Sequence, residues 1–140
     1  MTRPLLQSRT QRARSRSALP GVWAEQRAWR LLRQRGWRLL ASRWRCRWGE
    51  LDLVVTKPGR LLVVEVKGRR RCGADGWGVA ALGAIKRRRL ARALSCWLAE
   101  HPEQAQLPLE VVCALVPLPP AGGAVRWLRL EALAAAQGNG

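Results

Sequence analysis

Carboxylates crowd one part of this sequence. Of its nine acidic residues, Glu25, Glu50, Asp52 and Glu65 gather around one predicted β-hairpin and the helix before it. Residues 51–55 and 61–66 read as strands joined by a turn centred on Pro58-Gly59. Pairing about that centre sets Asp52 opposite Glu65 and Glu50 opposite Lys67. Proline cannot take the positive φ of the tight primed turns, which favours a four-residue loop, 57–60, in the same register. Directly opposed side chains have Cβ atoms roughly 4.5–5.5 Å apart, where two like charges repel. A divalent cation removes the repulsion, and hard oxygen ligands suit magnesium or manganese.

This set of groups fits phosphodiester hydrolysis, which needs a polarised phosphate, an activated water and neutralisation of the charge that grows on the phosphoryl oxygens. Asp52 and Glu65 are expected to hold Mg2+ or Mn2+, with Glu50, on the face of Asp52, as a further ligand. The period of two along a strand puts Lys67 on the face of Glu65, where its ammonium would orient the water or stabilise the transition state. Glu25 is expected to reach the metal through water. The competing reading makes Glu65 and Lys67 ordinary polar residues of a solvated strand, but the flanking runs are too apolar for one.

The elements that must position these groups follow from pattern. Pro20 and Gly21 open a helix that Gly36 closes, with Ala28, Trp29 and Leu32 on one face and Glu25 at the head of that stripe. Trp37 to Leu40 suggests a short strand, and Arg43, Arg45 and Arg47 then alternate with Trp44, Cys46 and Trp48 in an extended segment. Basic residues interleaved with aromatics either bind phosphates and stack bases or supply core tryptophans. After a Gly- and Arg-rich loop, a helix is predicted over about 79–100, with Leu82, Ile85, Ala93, Leu94 and Trp97 as its buried stripe. Residues 109–116 read as a strand covered on both faces, 125–130 as another, and 131–137 as a short closing helix. This order implies an α/β domain with a mixed central sheet flanked by helices.

Composition narrows the partners. A formal net charge of +17, nearly all arginine, draws polyanions by steering and counterion release, so nucleic acid is the expected partner. Phosphate contacts are expected from Arg43, Arg45 and Arg69 and from the helical run Lys86, Arg87, Arg88 and Arg89. Residues 1–19, acid-free and arginine-rich, read as a disordered basic arm, 20–136 as one domain and 137–140 as a frayed end. Cys46, Cys72, Cys96 and Cys113 lack a Cys-x-x-Cys pair and read as buried or partly buried thiols; His101, the single histidine, reads as a surface residue at a helix end. No apolar run reaches the roughly 18 residues a spanning helix requires, so a cytoplasmic protein without a membrane partner is expected.

Asp52 followed by Glu65-x-Lys67 on the next strand resembles the PD-(D/E)xK motif of the restriction-endonuclease-like superfamily, and Glu25 on a preceding helix is similar to the helix glutamate of Holliday junction resolvases. The closer resemblance is to the YraN-like family of small bacterial proteins. It runs from Gly21 to Leu133 through Ala24-Glu25, Ala28, Leu32, Gly36, Gly49-Glu50-Leu51-Asp52-Leu53, Val64-Glu65-Val66-Lys67, Arg69, Gly78, Lys86, Ala93 and Val111-Val112. Arg43 stands where members usually have Asn, and Glu110 where they usually have Asp. The resemblance implies a restriction-endonuclease-like core, the site residues already named, and a metal-dependent endonuclease acting on DNA rather than RNA, with branched DNA and a homodimer following by analogy. The alternative is a non-catalytic nucleic-acid-binding protein on the same fold.

Overall fold

The computed structural model describes residues 20–70, 83–120 and 122–130. Residues 20–34 are helical and form α1. The helix stops where glycine permits: Gly36 takes a φ of 92°, its N–H donates to Arg33 O, and the Trp37 N–H donates to Leu32 O. Those paired bonds satisfy carbonyls that the helix end leaves without intrahelical partners.

Five strands follow: β1 (Arg38–Cys46), β2 (Gly49–Lys57), β3 (Arg60–Arg69), β4 (Leu109–Pro117) and β5 (Arg126–Arg129). They lie side by side in that order in one sheet, antiparallel except for the parallel β3–β4 pair. Between β3 and β4 run α2 (Ala84–Glu100) and the single turn α3 (Pro102–Ala105). The α/β, restriction-endonuclease-like core with a mixed sheet and flanking helices is therefore the architecture of this chain.

Alternation along the central strands divides the core into two layers. Leu53, Val55, Leu62, Val64, Val112 and Ala114 point to the face that α1 covers with Ala24, Ala28 and Leu32. Val54, Leu61, Val63, Val111 and Leu115 point to the face that α2 covers with Leu90, Ala93, Leu94 and Trp97. β4 is buried from Val111 to Pro117, as its unbroken apolar run predicts.

Four sequence readings need correction. Lys57 pairs with Arg60, so the β2–β3 loop is the two residues Pro58-Gly59. Gly59 takes a φ of 74°, which gives proline its favoured first position and glycine the left-handed second. The expected register survives because the centre of the turn is unchanged. Trp37 lies before the strand and is buried, while the short strand and the alternating segment merge into β1. Ile85 is 64% exposed, and Leu90 takes its place in the buried stripe. Ile85 stands in the first turn of α2, over a cavity rather than over the sheet. The basic arm, Cys72, the start of the second helix at 79–82, the closing helix at 131–137 and the frayed end lie outside the described residues. Among the described residues no helix is long and apolar enough to cross a membrane.

Candidate metal and phosphodiester site

The β2–β3 ladder runs from Lys57↔Arg60 to Leu53↔Val64 and ends there. Beyond that point β2 keeps its partner on one side, with Leu51↔Trp44, Glu50↔Arg45 and Gly49↔Cys46. β3 keeps its partner on the other, from Glu65↔Cys113 to Arg69↔Pro117. The two central strands thus part into a fork. Asp52 sits at the crotch, and its Oδ2 accepts the Val66 N–H at 2.8 Å, satisfying an amide that the interrupted ladder leaves over. Sequence pairing sets Glu50 against Lys67 as ladder neighbours; instead each stands on its own prong.

The fork opens into a cavity of about 940 Å³. Glu25 reaches it from α1, Glu50 and Asp52 from β2, Glu65 and Lys67 from β3, and Lys86 from α2. Oxygens of Glu25, Glu50 and Asp52 lie within 4.8 Å of one another. The expected ligand trio was Asp52, Glu65 and Glu50; this tightest group holds Glu25 in place of Glu65. Glu65 pairs with Lys86 instead, whose Nζ lies 3.3 Å from its Oε1. Glu65 is only 7% exposed, and its Oε2 finds no donor among the described residues unless Asp52 carries a proton.

Electrostatics follow from that crowding. Burial pushes the Asp52 carboxyl up to about 7, the charge of Glu65 adds to the rise, and the Val66 N–H opposes it. Burial also raises Glu65, against the pull of Lys86, and raises Glu25, against its bond from Arg43. The Cys113 thiol, beside Glu65 in the ladder, is pushed to about 11 by burial and by that carboxylate. Not all of these acids ionise together near neutrality without a cation between them.

Two of the arginines expected to contact phosphate pair with carboxylates of this site. Arg43 Nε donates to Glu25 Oε2 at 2.7 Å, and Arg45 Nε lies 3.3 Å from Glu50 Oε2. Lys86 likewise serves Glu65. Arg69 ends β3 with a buried Nε, Arg89 lines the cavity wall, and Arg87 and Arg88 lie on α2 between them. Arg43 has a φ of 50°, a left-handed conformation that arginine adopts rarely and in which Asn is several-fold enriched. Lys67 lines the cavity with no ion pair to an acid among the described residues.

Two contributors escaped the sequence reading. Lys86 was assigned to phosphate contacts, yet it precedes Leu90, Ala93 and Trp97 at helical spacing, which places it on the sheet-facing stripe. Gly49 entered the sequence reading only through the family resemblance, with no role given: a Cβ there would meet the Arg89 carbonyl oxygen at 3.2 Å, so its smallness lets α2 pass close above the β1–β2 turn.

The sequence model described as Uncharacterised protein family UPF0102 matches residues 24–114, a span that holds every acid and lysine of the fork. The chain belongs to this family. A UPF0102 protein of Prochlorococcus marinus (strain MIT 9303) is 55% identical over 117 residues, covering 84% of this chain and 93% of the relative. A UPF0102 protein of Parasynechococcus marenigrum (strain WH8102) is 55% identical over 114 residues, with 81% and 83% covered. One from Synechococcus sp. (strain CC9902) is 48% identical over 119 residues, with 85% and 98% covered. The UPF0102 match and the YraN-like resemblance of the motifs agree, and the fork is where the family's PD-(D/E)xK-like residues meet.

Proposed function

We propose that this chain is a metal-dependent endonuclease that hydrolyses phosphodiester bonds of DNA. The observation that carries the reading is the Glu65 carboxylate, more than nine-tenths buried with an unsatisfied Oε2, beside an Asp52 whose ionisation is disfavoured. A protein stabilised only by its core has no need of such a pair. A hard divalent ion satisfies both oxygens, and the donor set, all carboxylate with room for water, suits Mg2+ or Mn2+. Asp52 and Glu65 would hold it, with Glu50 and Glu25 completing the shell directly or through water. When bound, such an ion polarises the phosphoryl oxygens and lowers the pKa of water.

The chain's own groups do the rest. Lys67, on the face of Glu65 and unpaired to any described acid, offers an ammonium to the phosphoryl oxygens or to the attacking water. Water's oxygen bonds to phosphorus and gives up a proton, the bond to the leaving oxygen breaks, and the leaving oxygen takes up a proton in turn, so that one water is consumed for each bond cut. The +17 charge brings the polyanion to the cavity mouth.

A second reading, a non-catalytic nucleic-acid-binding protein, draws on the three cations that already neutralise Glu25, Glu50 and Glu65. Duplex, single-stranded and junction DNA, with matching RNA, separate the two. The enzyme cuts DNA with Mg2+ or Mn2+ and stops cutting in EDTA; Asp52→Ala and Lys67→Ala lose at least about a hundredfold in rate while still binding. Binding without cutting across all substrates and both metals supports the second reading, and preferential cutting of RNA overturns the DNA assignment.

A further inference from the structure

Beyond the fork, α2 and the β1–β2 turn enclose a second hollow of about 520 Å³, lined by Arg45, Arg47, Trp48, Arg89 and Arg92, with Glu50 as its acid. Trp48 occupies the turn between the strands and is 38% exposed, although its indole is among the largest apolar surfaces a side chain offers. The Cζ atoms of Arg47 and Arg92 lie 4.6 Å and 5.0 Å from its ring centroid. The turn is held in place: Trp48 N–H donates to Cys46 Sγ at 3.4 Å, and Gly49 packs beneath the Arg89 backbone. Glu50, Gly49 and Arg89 also line the acidic cavity, so the two hollows adjoin.

We infer that this hollow receives an unpaired nucleotide of the DNA strand, its base stacked on Trp48 and its phosphates held by Arg47 and Arg92. Four guanidiniums against one carboxylate select a polyanion. An indole in the wall of a cationic hollow adds something that phosphate does not need, a flat π-surface. Guanidiniums lying over an indole are in the geometry from which they turn to a phosphate while a base takes their place on the ring. Bases inside a duplex are stacked on one another and offer no free face to an indole, so the recognised strand is single-stranded at this point. The adjoining acidic cavity then faces a phosphodiester close to the start of the unpaired segment. That position relative to cleavage rests on the nuclease reading; the stacking itself does not.

The test uses the full chain in EDTA, so that nothing is cut, with fluorescence anisotropy on three labelled DNAs: a dT12 single strand, a duplex closed at both ends by ethylene-glycol linkers and so without unpaired nucleotides, and the same duplex opened at one end to carry a dT6 overhang. Trp48→Ala is expected to weaken the single strand and the overhang by roughly tenfold or more and the closed duplex by less than about twofold. Trp48→Phe restores most of the loss. Arg47→Gln with Arg92→Gln weakens all three and flattens the salt dependence by about two phosphate contacts, keeping the hollow testable if Trp48→Ala does not fold. Equal losses on closed duplex and single strand for Trp48→Ala, or no salt-slope change in the arginine pair, overturn the inference. Selective loss in a protein that never cuts DNA leaves the inference standing and removes the nuclease reading alone.

Discussion

Asp52→Asn should make the metal-free protein more stable, although it removes a residue from the centre of the site. Asp52 is raised from an ordinary 3.8 to about 7 by burial and by Glu65. A group whose pKa is higher in the folded state than in the unfolded one favours folding at low pH, and that contribution is lost as pH rises from about 4 through 7. Each pKa unit is worth about 1.4 kcal/mol, so the ionised carboxylate costs at most about 4 kcal/mol at pH 8. Relaxation of the fork brings this to about 2–4 kcal/mol. Asparagine keeps an oxygen to accept the Val66 N–H and carries no charge. Melting in EDTA at pH 8 should therefore show Asp52→Asn above the native chain by roughly 8–16 °C, with the gap shrinking to under about 1 kcal/mol at pH 4. Added Mg2+ should close the gap at pH 8, because an ion at about 100 times its Kd stabilises the native chain by about 2.7 kcal/mol and finds fewer charges in the variant. A variant that melts at or below the native chain at pH 8, or a gain independent of pH, would refute the reasoning.

Lys86→Met removes the counter-ion of Glu65 and should cost about 1 kcal/mol at pH 8, a discounted figure because the lysine is partly exposed; the loss should shrink as pH falls and Glu65, held above the ordinary carboxylate range, takes up a proton, read by urea denaturation at pH 8 and at successively lower pH, and a loss independent of pH would show that Lys86 acts through packing instead. Arg43→Asn relieves a left-handed arginine at the expense of the bond to Glu25, so thermal melting should show stability unchanged or raised by up to about 1 kcal/mol, whereas a loss above about 1.5 kcal/mol would mean that Glu25 depends on its arginine.

What the sequence disclosed was mostly local. Pro58-Gly59 fixes a centre of pairing, and that centre correctly set Leu53 against Val64 even though the loop came out two residues long rather than four. Gly36 and the run at β4 were legible for the same reason, since each effect depends on a few adjacent residues. The fork was not legible. Whether Asp52 and Glu65 continue a ladder depends on β1 and β4, which compete for the two central strands from sites distant in sequence. The α2 stripe failed in one place because the apolar period alone cannot tell Ile85 from Lys86 at the helix start; the buried carboxylate that attracts the lysine decides it. Burial of a charged lysine stem along such a stripe is ordinary chemistry, but a pattern of hydrophobicity hides it.

The fork has one more consequence. Each prong is moored to a different neighbour, so the spacing between the carboxylates is set at the flanks of the sheet and not by the hairpin that carries them. Substitutions in β1 or β4 that touch none of the acids can therefore widen or narrow the gap. If the site holds an ion as proposed, its aperture is in this sense adjustable from outside, so that the choice of cation could be changed without altering a single ligand.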